Sequence, residues 1–184
     1  MMKRFVIALG LILATANALA QDEPFAALRD GGHVLMLRHA IAPGFGDPAG
    51  FDVDDCTTQR NLSEEGRAQA RSIGERLRAE GLGEAAVYTS AWCRCRDTAA
   101  EMDLTEAEPR LGLNSFFQNR ERRDAIVAAL RDLLAGLANG PPAVLVTHQV
   151  NIRAITGQGV QSGEGLIVQP DDEGSVRVVA PFPP

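Results

Sequence analysis

The stretch HVLMLRHA, residues 33–40, is an apolar run that ends on an arginine and a histidine, and the loop-like segment IAPGFGDPAG follows it directly. A short apolar run bounded by glycines before and a Gly/Pro-rich loop after predicts a buried strand. A second run, AVLVT at residues 143–147, is apolar and β-branched and also precedes a histidine, His148. Both strands therefore end on polar side chains that the apolar pattern does not explain.

Strand-like and helix-like segments alternate along the rest of the chain. Strands are predicted at AAVYTS, GLIVQ and SVRVVA, and helices at WCRCRDTAAEM, RRDAIVAALRDLLAGLANG and VNIRAITG. The segment LSEEGRAQARSIGERLRAEG is a further helix, with Ser63 as its N-cap and Gly81 as its stop. The alternation predicts an α/β fold, a three-layer sandwich in which helices cover both faces of a largely parallel central sheet. We expect a single domain over residues 21–184.

The first twenty residues carry a different signal. A short basic start, MMKRF, precedes an apolar run and the small-x-small motif ALA at residues 18–20. This pattern predicts a cleaved secretory signal peptide over residues 1–20, with an uncleaved anchor as the alternative. No second apolar run of membrane length follows, so we expect an exported protein, periplasmic or secreted, that is soluble and free of the membrane after cleavage.

Charge excludes one class of partner. Cleavage would remove Lys3 and Arg4 and no acidic residue, which takes the formal net charge from −6 to −8. Affinity for nucleic acid depends on clustered lysine and arginine, so an acidic domain is not expected to bind nucleic acid. Any phosphate group that this protein handles must be attracted by a local cluster of cations.

The chain has three cysteines, Cys56, Cys93 and Cys95. An exported chain meets an oxidising compartment, which favours one disulfide and one remaining thiol. Cys95 shares the apolar face of its helix with Trp92 and Ala99 and is expected to be buried, whereas Cys93 points to the opposite face. We therefore predict a Cys56–Cys93 disulfide, with three free thiols as the alternative. The disulfide would hold the loop that ends at Cys56 over the candidate functional site.

The residues that leave the strands carry the functional prediction. In sheets of this kind ligands bind at the carboxyl ends of the strands. Arg38 and His39 follow the first strand, Ser90 and the helix with Arg94 follow the second, and His148 follows AVLVT. Two arginines and two histidines at one edge would repel each other unless an anion joined them, and a phosphoryl group matches arginine forks.

A metal site is not expected. His33 begins its strand and so lies at the opposite edge of the sheet from His39 and His148, and no HExxH-type spacing is present. We predict neither a metal nor a cofactor.

Four segments in this order resemble the histidine phosphatase superfamily, which has the phosphoglycerate mutase-like fold. They are LRHA, LSEEGRAQA, TSAWCRCRDTA and VTHQVNIRAITG, and they span most of the chain after the signal. The resemblance implies that His39 is the nucleophile that becomes phosphorylated, that Arg38 and Arg94 hold phosphoryl oxygens, and that His148 completes the pocket. It implies a metal-independent phosphatase that hydrolyses a phosphomonoester or phosphoramidate through phosphohistidine. The substrate would be a small phosphorylated molecule or a phosphoprotein, and the oligomeric state stays open.

The chain departs from the family pattern where a general acid is expected. Asn114 and Gln149 occupy the positions at which the two branches of the superfamily carry a glutamate or an aspartate. Asp47, Glu121 and Glu164 are candidate substitutes that the sequence does not distinguish. The absence favours substrates whose leaving group needs little protonation. It also leaves an alternative, a weak or inactive relative that binds phosphate or a phosphorylated ligand.

Overall fold

The structure, a computed structural model that describes residues 25–182, contains a six-stranded sheet within that range. Its strands are β1 (Val34–Arg38), β2 (Ala86–Thr89), β3 (Glu108–Pro109), β4 (Ala143–Thr147), β5 (Gly165–Pro170) and β6 (Val176–Phe182). Their order across the sheet is β3-β2-β4-β1-β5-β6. The first four strands run parallel, and β5 and β6 are antiparallel additions at one side. The largely parallel sheet is confirmed, whereas the two-residue strand β3 was not predicted.

Helices cover both faces of this sheet, as expected of three layers. They are α1 (Glu64–Ala79), α2 (Cys93–Met102), α3 (Arg123–Leu137) and α4 (Gln149–Thr156), and residues 25–29 are also helical. Alternate residues of a strand point to opposite faces. Accordingly Leu35 and Leu37 of β1 pack with α1 and α2, while Val34 and Met36 pack with α3 and α4. The two faces form separate apolar cores.

The ends of α1 follow the sequence signals. The Ser63 hydroxyl accepts a hydrogen bond from the Gly66 backbone N–H at 3.1 Å, and Gly81 just after the helix has a φ of +76°. The buried side of α3 consists of Ile126, Leu130, Leu134 and Leu137, while Leu133 is only partly buried.

The predicted disulfide is present. It joins Cys56, at the start of a 3-10 turn, to Cys93, the first residue of α2, with Cα atoms 5.7 Å apart. Cys95 is free and buried, as predicted. The bond ties the loop between β1 and α1 to the start of α2, and both of these segments contribute to the site.

The predicted signal peptide falls on residues 1–20, which lie outside the described range, so it stays a prediction. Within residues 25–182 no helix is both long enough and apolar enough to cross a membrane.

Candidate active site

The four residues predicted from the strand ends meet in one pocket of about 160 Å³ at the carboxyl edge of the parallel strands. Arg38 ends β1 and His39 follows it, His148 follows β4, and Arg94 lies in the first turn of α2. The ring centroids of His39 and His148 are 5.5 Å apart. The predicted convergence is confirmed. His33 lies elsewhere, with its Nδ1 3.0 Å from the Gly31 carbonyl oxygen.

The surroundings of His39 define its protonation. Its Nδ1 lies 2.8 Å from the backbone carbonyl oxygen of Ala40, which can only accept a hydrogen bond. Nδ1 therefore carries the proton, and Nε2 keeps a free lone pair. Burial, followed by the charge of Arg94, lowers the pKa of His39 to about 3, although the Ala40 carbonyl acts in the opposite direction. His39 is thus a neutral imidazole at pH 7 whose Nε2 can act as a nucleophile.

His148 is held by a polar chain behind the pocket. Its Nε2 lies 2.9 Å from the Ser90 hydroxyl oxygen, and that oxygen lies 3.3 Å from Oδ1 of Asn114. Asn114 Oδ1 also accepts a hydrogen bond from the Ala91 backbone N–H at 2.8 Å. Burial, and then the charge of Arg94, lower the pKa of His148 well below its ordinary value, so this ring is also neutral. Asn114 therefore contacts Ser90, which in turn contacts His148. Asn114 occupies a position where the family pattern would place an acid.

Arg94 is fixed by a buried carboxylate, Asp47. Its two terminal nitrogens donate to the two oxygens of Asp47 at 2.7 and 3.2 Å. The Arg60 backbone N–H and the Trp92 Nε1–H donate to the same carboxylate, both at 3.1 Å. The side chains of Arg94 and Asp47 are only 4% and 2% exposed. Asp47 thus acts as an acceptor that orients Arg94.

A third arginine, Arg60, lines the pocket beside Arg38 and Arg94. It donates from Nε to the Gly46 carbonyl oxygen at 2.9 Å and from a terminal nitrogen to the Ala42 carbonyl oxygen. Burial, followed by the charge of Arg94, lowers the pKa values of Arg38 and Arg60. Within the described residues, the Nε–H groups of Arg38 and Arg94 are buried and lack hydrogen-bond partners. Since unpaired buried donors are costly, an anion in the pocket would stabilise this cluster.

None of the three candidate acids lines the pocket, and neither does any other Asp or Glu of the described residues. Asp47 is engaged with Arg94, and Glu121 is exposed in the 3-10 turn Arg120–Arg122. An oxygen of Glu164 accepts a hydrogen bond from the Gln161 backbone N–H at 2.7 Å. Gln149 lines the pocket, and its Oε1 accepts a hydrogen bond from the Val160 backbone N–H at 3.1 Å.

The sequence did not identify Arg60 as a pocket residue, nor the ion pair between Asp47 and Arg94. Asp47 and Arg60 lie in the long loop between β1 and α1, and this loop has no periodicity from which contacts could be predicted. The length of that loop was the available signal, because connections of such length are often functional.

Fold and pocket together define the class, an α/β protein with a pocket of about 160 Å³ lined by three arginines and two neutral histidines. Within residues 25–182 no group of three or more His, Cys, Asp or Glu side chains is arranged to hold a metal ion.

Comparison with known proteins finds one family model that matches part of the chain and several solved structures of similar fold. The model of the histidine phosphatase superfamily (branch 1) matches residues 55–114, about a third of the chain, and no curated protein matches the sequence. The protein histidine phosphatase SixA in complex with tungstate has a similar structure, with a TM-score of 0.57 at 18% identity over 82% of this chain and 96% of that one. The mycobacterial glucosyl-3-phosphoglycerate phosphatase has a TM-score of 0.56 at 18% identity, over 80% of this chain and 96% of that one. A phosphoserine phosphatase from Entamoeba histolytica in complex with 3-phosphoglyceric acid has a TM-score of 0.57 at 11% identity, over 83% of this chain and 97% of that one.

At these identities the solved structures establish the fold, and the family match covers residues 55–114. Residues 55–114 match the model of the histidine phosphatase superfamily, which is the family that the four sequence segments resemble. The assignment made from the four sequence segments, a phosphatase of the histidine phosphatase type, is thereby confirmed.

Proposed function

We propose that this protein is a metal-independent phosphatase that works through a phosphohistidine at His39. The observation that carries the proposal is the state of His39, a neutral imidazole with a free Nε2 in a pocket lined by Arg38, Arg60 and Arg94. Arginine forks match the oxygens of a phosphoryl group and stabilise its charge during transfer.

The reaction would have two steps. In the first, the lone pair of His39 Nε2 forms a bond to phosphorus, and the bond to the leaving atom breaks with its electron pair departing on the leaving group. The ring then bears positive charge, which the Ala40 carbonyl oxygen at 2.8 Å from Nδ1 stabilises. In the second step, water attacks phosphorus, the P–N bond breaks, its electron pair returns to Nε2, and inorganic phosphate leaves.

The absence of a carboxylate from the described pocket lining limits the substrates. A leaving group that receives no proton from the protein must depart as an anion or take its proton from solvent. Phosphoramidates and esters of acidic alcohols or phenols meet this condition better than sugar or glycerol phosphates. SixA, whose structure is similar, was solved in complex with tungstate, a tetrahedral oxyanion like phosphate, and this supports a phosphoryl group as the ligand here.

The test is a screen of phosphomonoesters and phosphoramidates with EDTA present, scored by release of inorganic phosphate. We expect turnover by the wild type that EDTA leaves unchanged and that His39→Ala abolishes. His33→Ala is the matched control, because that histidine lies outside the pocket, and it should retain activity. Calorimetric binding of inorganic phosphate without turnover of any compound would support the alternative, a phospholigand-binding module, and would overturn the proposal.

A further inference from the structure

Phe45 is the most exposed large apolar side chain of the described residues, at 88% exposure, and it stands at the mouth of the pocket that contains His39. Its ring meets the ring of Phe117, another pocket residue, edge to face, with centroids 5.0 Å apart and planes at 88°. Aromatic side chains that line a concave pocket are typical contacts for the apolar part of a ligand, and covering this exposed ring would add the stabilisation of burial.

The loop backbone next to this phenyl ring is tied to the pocket. Gly44 and Gly46 on either side of it have φ angles of +94° and +69°, which other residues rarely adopt. Directly after them, Asp47 exchanges two hydrogen bonds with the Gln118 side chain, at 2.7 and 3.0 Å, and its carboxylate is tied to Arg94. The position of Phe45 is therefore coupled to that of the pocket arginines.

We propose that Phe45 and Phe117 form a subsite for a planar aromatic ring on the leaving group of the substrate. This inference rests on the proposed function and deepens it. A pocket without an acid requires a weakly basic leaving group, and phenolates and imidazoles are both weakly basic and planar. A ring attached to the phosphoryl group would stack on the exposed face of Phe45 and contact Phe117. One aromatic contact of this kind is worth roughly a 2- to 10-fold change in affinity.

Binding of two phosphonates by calorimetry tests the subsite without any turnover. Phenylphosphonate and cyclohexylphosphonate have the same ring size, but only the first is planar. We expect wild-type protein to bind phenylphosphonate more tightly by roughly 2- to 10-fold. Phe45→Leu should remove this preference, so that the two phosphonates bind with similar affinity, and folding is not at risk because the side chain is 88% exposed.

Phe51→Leu is the matched control, because Phe51 lies in the same loop but packs against Trp92, with centroids 5.8 Å apart, outside the pocket. This variant should keep the preference for the planar ring. Equal affinity of the wild type for both phosphonates, binding of neither, or a preference that survives in Phe45→Leu would overturn the subsite. A Phe45-dependent preference in a protein that hydrolyses neither phosphomonoesters nor phosphoramidates would support the subsite and refute the phosphatase proposal alone.

A kinetic comparison then ties the subsite to catalysis. Phenyl phosphate and hexafluoroisopropyl phosphate have leaving groups of similar acidity, and only the first is aromatic. In Phe45→Leu, kcat/KM for the phenyl ester should fall roughly 2- to 10-fold relative to kcat/KM for the fluoroalkyl ester. An equal fall for both esters would contradict recognition of the ring.

Discussion

Replacing Asp47 by asparagine would remove the charge that compensates Arg94 in the interior. The ion pair is bidentate, and both side chains are almost fully buried, at 2% and 4% exposure. Removing one partner of a buried pair typically costs about 3–5 kcal/mol, because the other charge is left uncompensated. The asparagine amide also places an N–H group where the wild-type carboxylate accepts hydrogen bonds. For a domain of this size such a loss corresponds to a fall in Tm of about 6–20 °C.

The assay is chemical and thermal unfolding of Asp47→Asn beside a matched control, Asp97→Asn. Asp97 also pairs with an arginine, Arg67, at 3.0 Å, but both side chains are 31% exposed. A surface pair of this kind contributes about 0–1 kcal/mol, so the control should unfold close to the wild type. Kinetics add a second readout, since a misplaced Arg94 should lower kcat/KM for alkyl and aryl esters alike. Wild-type stability together with a loss confined to alkyl esters would refute this reasoning and identify Asp47 as the general acid.

Three further predictions concern the leaving group, pH and the disulfide. In a series of phosphate esters, rates should fall steeply as leaving-group pKa rises, because a general acid normally contributes roughly 10²–10⁴-fold; a flat series would show that an acid exists. Burial lowers the pKa of His39 to about 3 and that of His148 in the same direction. Unfolded chains therefore take up protons below pH 6.5 that the native state does not, and stability should fall with falling pH by up to about 1.4 kcal/mol per unit for each histidine. Urea titrations of His39→Asn should show a shallower dependence, and an unchanged slope would argue against the buried neutral ring. Mass mapping should join Cys56 to Cys93, with reduction costing about 2–4 kcal/mol; a bridge to Cys95, or none, would contradict the structure.

The fold could be predicted because its elements carry their own signals. β1 and β4 are continuous apolar runs, and α1 has a cap, an apolar stripe and a glycine stop within its own sequence. β3 has no such signal, since its two exposed residues are a strand only through pairing with Tyr88 and Thr89 of β2. A strand defined by its neighbour rather than by its own pattern cannot be found by periodicity.

The residues of the site also fall into a predictable group and a group that the sequence did not predict. Residues at strand ends, such as His39 and His148, were predictable because parallel strands bring their carboxyl ends to one edge. Arg60 reaches the pocket, and Asp47 reaches Arg94, through a loop whose path depends on tertiary contacts with Arg94 and Gln118. Those contacts join residues more than thirty positions apart, which a local pattern does not encode.

Trapping the phosphorylated intermediate tests the central claim most directly. The protein would be mixed with a radiolabelled phosphodonor, quenched in alkali, and mapped by peptide mass after a short incubation. We predict a phosphoryl adduct on His39 that is stable in alkali and labile in acid, as a phosphoramidate bond requires, with His33→Ala labelled like the wild type. No adduct on the wild type, or an adduct that persists in His39→Ala, would contradict the proposed mechanism.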